Sequence, residues 1–251
     1  MAKLSRRAFL NQSTAGLITV AGVALILPAD AAPTESSGLD DHQDGHIHAG
    51  YENYDAPLLA VGPSAADTYR LPAGQVPTED NILGPYYRPG SPFRGKVTAV
   101  GEAGNLLVVQ GRVWSYDTKR PLANAVLDIW QANAKGRYDN DDPMRPVAPG
   151  VYRNRIRLVT DEMGRYEFET IQPGRYKTSP DIWRPSHIHY AISAPGHQTL
   201  VTQLYFEGDP YNDTDLYIKK SLIIKLATVT KNTSSYKHGV FDIVLRHVVS
   251  S

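Results

Sequence analysis

The chain has 251 residues, and its 26 Lys and Arg balance 26 Asp and Glu, so its formal net charge is zero. No basic surplus points to nucleic acid, and no charged block points to a polyelectrolyte partner. Cysteine is absent, which excludes disulfides and thiolate metal sites; any metal must be held by nitrogen and oxygen.

The first residues read as an address rather than as fold. SRRAFL at 5–10 leads into an apolar run from Ala15 to Leu27 and then PADAAP. A basic start, an apolar middle and a small-residue end describe an export signal over 1–32, cut near Ala31 or Ala32. The Arg6–Arg7 pair gives it the twin-arginine form, a route for folded and often cofactor-loaded proteins, and places the product in the periplasm or outside the cell. The apolar run is shorter than the ~20 residues that span a bilayer, so no stable membrane span is expected after cleavage. Residues 33–75 are rich in Ala, Gly, Pro, Ser and Asp without periodicity and read as a linker or irregular arm. His42, His46 and His48 lie there. They fit either a solvated tail or a metal-scavenging tract, and the entropy lost in ordering a flexible arm favours the tail.

From about residue 105 the pattern turns to β. NLLVVQGRVWS (105–115), AVLDIWQA (125–132), RNRIRLVT (153–160) and RYEFETI (165–171) are strand signals separated by turn residues. HIHYAIS (187–193), TLVTQLYF (199–206), SLIIKLATV (221–229) and GVFDIVLRHV (239–248) follow, with room for a short helix around Asp213 to Lys219. The expected fold over 76–251 is an all-β sandwich or barrel. PLANAVLDIW (121–130) followed by TDEMGRYEFETIQPGRY (160–176) is also the rhythm of secreted, non-enzymatic prealbumin-like binding modules, so the fold alone leaves chemistry open.

WRPSHIHY (183–190) carries the chemistry. Side chains two apart on a strand share a face, so His187 and His189 can approach one metal. A bare HxH is commonly two ordinary histidines, and the same tripeptide stands at 46–48. Tyr138, closing WQANAKGRY, and Tyr176, closing the PGRY turn, add phenol oxygens. Imidazole with phenolate and no thiolate suits a hard, high-valent ion, ferric iron over zinc or copper. Arg184 has the opposite parity to the histidines, and Pro185 breaks the ladder, which would let the guanidinium swing over the same site.

WQANAKGRY, TDEMGRYEFETIQPGRY, WRPSHIHY and LVTQLYFEGDP, with TEDNILGPYYRPGSPFRG at 78–95, resemble the intradiol aromatic-ring dioxygenases, most closely the catalytic chain of the protocatechuate branch. The resemblance runs from about Thr78 to Val248. It implies a prealbumin-like β-sandwich holding a non-haem Fe(III) on Tyr138, Tyr176, His187 and His189. Arg184 would face the substrate, Gln203 would stand beside it, and Tyr176 would double as a base. The implied reaction splits a catechol-type, protocatechuate-like aromatic with O2 into a cis,cis-muconate-type acid. Such enzymes work as homo-oligomers or pair with an unlike chain. One departure stands out: KTSPDIW, between Tyr176 and Arg184, is shorter than the loop this family uses to shape its substrate pocket.

Overall fold

The computed structural model describes residues 69–248, all within one compact unit. The export signal, His42, His46 and His48 lie outside the described residues. Among the described residues are twelve strands: β1 (Leu106–Ser115), β2 (Val126–Gln131), β3 (Arg155–Val159), β4 (Arg165–Ile171), β5 (Tyr176–Ser179), β6 (Ile182–Arg184), β7 (His187–Ser193), β8 (Leu200–Phe206), β9 (Ile223–Ile224), β10 (Leu226–Lys231), β11 (Ser234–Val240) and β12 (Ile243–Leu245). Among the described residues no helix is long and apolar enough to cross a membrane.

Two five-stranded sheets face each other. In the first, β1 pairs antiparallel with β4 along one edge; its other edge pairs parallel with β11 over Leu107–Gln110 and with β12 over Val113–Ser115, and β10 lies outside β11. The second runs β3-β2-β7-β8-β9. The period-two pattern explains the packing. Leu107, Val109, Val113 and Phe168 of the first sheet meet Leu127, Ile129, Ile188, Ile192 and Leu204 of the second in one core. Each such side chain contributes about 1.5–3 kcal/mol on burial.

Alternation fills both faces of the second sheet. Opposite to Ile188 and Tyr190 on β7 stand His187 and His189, in register with Tyr205 and Gln203 of β8, and His189 is also in register with Trp130 of β2. The segment 79–97 covers this outer face. Asn81 N donates to Val201 O at 2.8 Å, and Arg157 N donates to Pro92 O at 2.8 Å. A polar sheet face that is buried in this way is the place where chemistry can sit.

Several expectations change in detail. Residues 213–219 form turns, and the only helical piece nearby is the 3-10 turn Lys220–Leu222. The reason is that the Asp215 carboxylate accepts from Tyr217 N at 2.7 Å and binds Arg184, holding the backbone in a loop. SLIIKLATV divides between β9 and β10, which belong to different sheets. GVFDIVLRHV divides at Phe241–Asp242, where Asp242 Oδ1 accepts from Arg112 N at 2.8 Å, so a side chain replaces a ladder carbonyl. Gly111 permits that crossing, because a Cβ there would lie 2.0 Å from Phe241 O.

Candidate active site

Arg184 reaches the site by a different route from the one its parity suggests. It ends β6, a strand of its own, in the hairpin β5–β6 whose register sets it directly opposite Tyr176. Cross-strand partners share a face, so the Tyr176 phenol and the guanidinium are delivered together. The hairpin fits the short KTSPDIW stretch, with Pro180 at its turn.

Tyr138, His187 and His189 meet within a few ångströms. His187 Nε2 lies 3.4 Å from the Tyr138 hydroxyl and 3.2 Å from His189 Nε2. Tyr176 closes the group, its ring centre 5.7 Å from that of Tyr138 and 5.6 Å from that of His187. Both histidines and Tyr138 are buried, whereas Tyr176 is half-buried. His187 Nδ1 donates to Pro185 O at 2.6 Å, which leaves Nε2 bare and aimed into the cluster. The Trp130 indole stacks on His189 at 4.8 Å and 7°, fixing the ring plane. Tyr86 stacks on Tyr138 at 4.3 Å.

The electrostatics match a donor set. Burial, helped by the Arg184 charge, lowers His187 to about 3, and burial with the neighbouring His187 holds His189 well below its ordinary value. Both imidazoles therefore keep free lone pairs at neutral pH. Burial raises Tyr138 well above the ordinary phenol value, with Tyr176 adding to the effect; Tyr176 is raised by burial and partly relieved by Arg184. A bound cation inverts this logic by favouring the phenolate. Two nitrogens 3.2 Å apart fit two donors each about 2.1 Å from one ion. Among the described residues no three His, Cys, Asp or Glu converge on a metal position; the donors here are two phenols and two imidazoles, the set that suits a hard trivalent ion.

Beside the donors, Arg184 is held through Nε and Nη2. Its Nε donates to Asp215 Oδ2 at 2.5 Å, and its Nη2 to Gln203 Oε1 at 2.8 Å and to Tyr205 Oη at 3.1 Å. Its guanidinium carbon lies 4.9 Å from the Tyr217 ring centre. Gln203 is anchored in turn by donating from Nε2 to Ile82 O at 2.8 Å.

The six residues read from the sequence thus come together. Three further groups were missed. Asp215 carries the counter-charge of Arg184. Asp209 accepts from Arg175 Nε at 2.8 Å and from Ser186 N at 3.0 Å, tying the segment of Tyr176 to that of His187. Arg155 and Asp139 form a buried pair next to Tyr138. Asp209 lies inside the quoted motif LVTQLYFEGDP, as Trp130 and Tyr86 lie inside others, whereas Asp215 and Asp139 stand outside every quoted motif.

The dioxygenase family matches residues 82–247. A chlorocatechol 1,2-dioxygenase of Rhodococcus opacus is 33% identical over 192 residues, covering 68% of this chain and 73% of that protein. The protocatechuate 3,4-dioxygenase beta chain of Burkholderia cepacia is 37% identical over 158 residues; the match covers 57% of this chain and spans 65% of that relative's length. The solved structure of 3-chlorocatechol 1,2-dioxygenase from Rhodococcus opacus 1CP superposes with a TM-score of 0.63 at 29% identity, over 74% of this chain and 76% of the other. By sequence and by architecture, the chain belongs to the intradiol ring-cleavage dioxygenases, a family of oxidoreductases.

Proposed function

We propose that the chain cleaves a catechol-type ring between its two hydroxyl-bearing carbons with O2, using a non-haem Fe(III) held by Tyr138, Tyr176, His187 and His189. The observation that carries this reading is the meeting of two phenols and two neutral imidazoles, drawn from three separate segments, beside a buried arginine. When bound, the ferric ion supplies a Lewis acid and template that makes the diol reactive toward O2. Tyr176, the less buried of the two phenols and carried by a short hairpin, would be a phenolate when the ion is bound, and as such could take a proton from the incoming diol hydroxyl to become a neutral phenol. Arg184, always cationic, stabilises negative charge that develops on the ring. Gln203 and Asp215 hold that guanidinium in place. The product is a cis,cis-muconate-type diacid. Export by the twin-arginine route, implied by Arg6, Arg7 and the apolar run after them, belongs to the same proposal and places the chemistry outside the cytoplasm.

The test is spectroscopic and chemical. Purified protein should hold ferric iron with a red-brown tyrosinate charge-transfer band, take up O2 with a catechol and release a muconate-type acid. A yellow semialdehyde product would mean extradiol cleavage. That result, or no uptake at full iron loading, returns the chain to a binding role.

A further inference from the structure

The two phenols of the donor cluster reach it from opposite sheets. The segment that ends at Tyr138 leaves β2 in the second sheet, and the segment that ends at Tyr176 leaves β4 in the first. His187 and His189 share β7, so one strand fixes their separation. β2 and β4 are not paired, and no ladder does the same for the phenols.

Other bonds make that link. Gln131, buried at the end of β2, donates from Nε2 to Ile171 O at 2.9 Å and accepts from Thr170 Oγ1 at 2.8 Å, both at the end of β4. Two residues on, Asn133 serves both segments. Its Oδ1 accepts from Lys135 N at 2.9 Å and from Arg137 N at 3.0 Å, closing the turn that leads into Tyr138. Its backbone O accepts from Gly136 N at 3.0 Å and from Gly174 N at 2.9 Å, two residues before Tyr176. A carbonyl oxygen has two lone pairs and can serve both donors.

Glycines let the two segments touch. Gly136 has a φ of 74°, in the left-handed region that glycine adopts without steric penalty. A Cβ there would run into Arg175 O, and one on Gly174 would run into Ala134 O and Gly136 N. The tripeptides Gly136–Arg137–Tyr138 and Gly174–Arg175–Tyr176 therefore lie together at their glycine ends as bare backbone. Two residues beyond each glycine, the phenol rings meet edge to face at 87°.

We propose that Asn133 is a positioning residue for the donor cluster, setting the separation of Tyr138 and Tyr176 across the two sheets with Gly136 and Gly174 as its backbone partners. The inference rests on the active-site reading above. Asn133 holds neither phenol directly; it acts through the turn before one and the amide before the other. Residues that support metal donors in this way typically change metal affinity 10–100-fold when removed, about the effect expected here. The tyrosinate charge-transfer band should move as well, because it depends on how each phenolate meets the ion.

The experiment titrates ferric iron into the iron-free protein and records the visible band for the parent and four variants. Asn133→Ala removes the acceptor, and should bind iron ~10–100-fold more weakly with a displaced band. Asn133→Asp keeps an oxygen in the same place and should recover most of the affinity and the parent band. Asn133→Ser, which closes such a turn more weakly, should fall between them and is read in place of Asn133→Ala if that protein does not fold. Gly111→Ala disturbs the sheet that contains β1 and should keep the parent band, which separates positioning from general loss of stability. A parent-like band and affinity in Asn133→Ala and Asn133→Ser would overturn the inference while leaving the active-site reading intact. Equal damage in Asn133→Asp, or the same displaced band in Gly111→Ala, would also overturn it. Absence of any band in the parent at full iron loading would remove the active-site reading itself, and this inference with it.

Discussion

At the scale of single residues, the proposed function separates groups that would hold metal from groups that would act on substrate. His187 and His189 point bare nitrogens into the cluster, so replacing either with Ala should abolish the visible band and most bound iron, read by metal analysis. Arg184 touches none of the donors by hydrogen bond and should behave differently. Arg184→Ala is expected to keep iron and colour but to lose ~10²–10³ in kcat, the usual effect of deleting one preorganised electrostatic group. Arg184→Lys should rescue only part, since an ammonium cannot make the forked set of bonds to Asp215, Gln203 and Tyr205. The donors and Arg184 were legible because each closes or occupies a short motif. The contacts of Asp215 and Asp209 were not, although LVTQLYFEGDP contains Asp209: they act on Arg184 and Arg175, 31 and 34 positions away, and no local spacing encodes a contact of that range.

At the scale of elements, alternation revealed the long strands and hid the short ones. Tyr176–Ser179 and Ile182–Arg184 are too brief to display a period, and Pro180 and Asp181 read as loop. Yet this hairpin is what aligns Tyr176 with Arg184; the break expected at Pro185 falls between β6 and β7, but the partner strand that orients Arg184 was not legible. The loop after β8 is the hairpin's counterpart. Asp215→Ala would leave the Arg184 charge buried without a partner, and removing one half of a buried pair typically destabilises by 3–5 kcal/mol; thermal or denaturant unfolding of the iron-free protein should show it. Gly111 is a second sensitive point. Gly111→Ala would force a Cβ against Phe241 O, and overpacking of this severity costs about 3 kcal/mol, roughly 6–12 °C in Tm for a domain of this size. Iron binding by any folded Gly111→Ala protein should stay intact, because none of the donors lies on the sheet that contains β1.

At the scale of the whole molecule, the donors lie between Tyr138 and His189 and their cover lies in 79–97. Removing residues 33–68 should therefore leave iron content and turnover unchanged, measured on the purified protein; loss of iron with the fold preserved would give His46 and His48 a role denied to them here.

The threefold use of β1 has a temporal consequence. Its partners are β4, about 60 positions on, and β11 and β12, some 130 positions on. Pairings between such distant stretches form late and slowly. On the ribosome, every donor emerges before β11 exists, so a nascent chain that has made all four still has one edge of β1 bare. Bare edges invite pairing with other chains. Translation stopped after Lys231 should consequently yield aggregate rather than a smaller enzyme, and a secretion route that accepts only folded cargo would have to wait for the last strands.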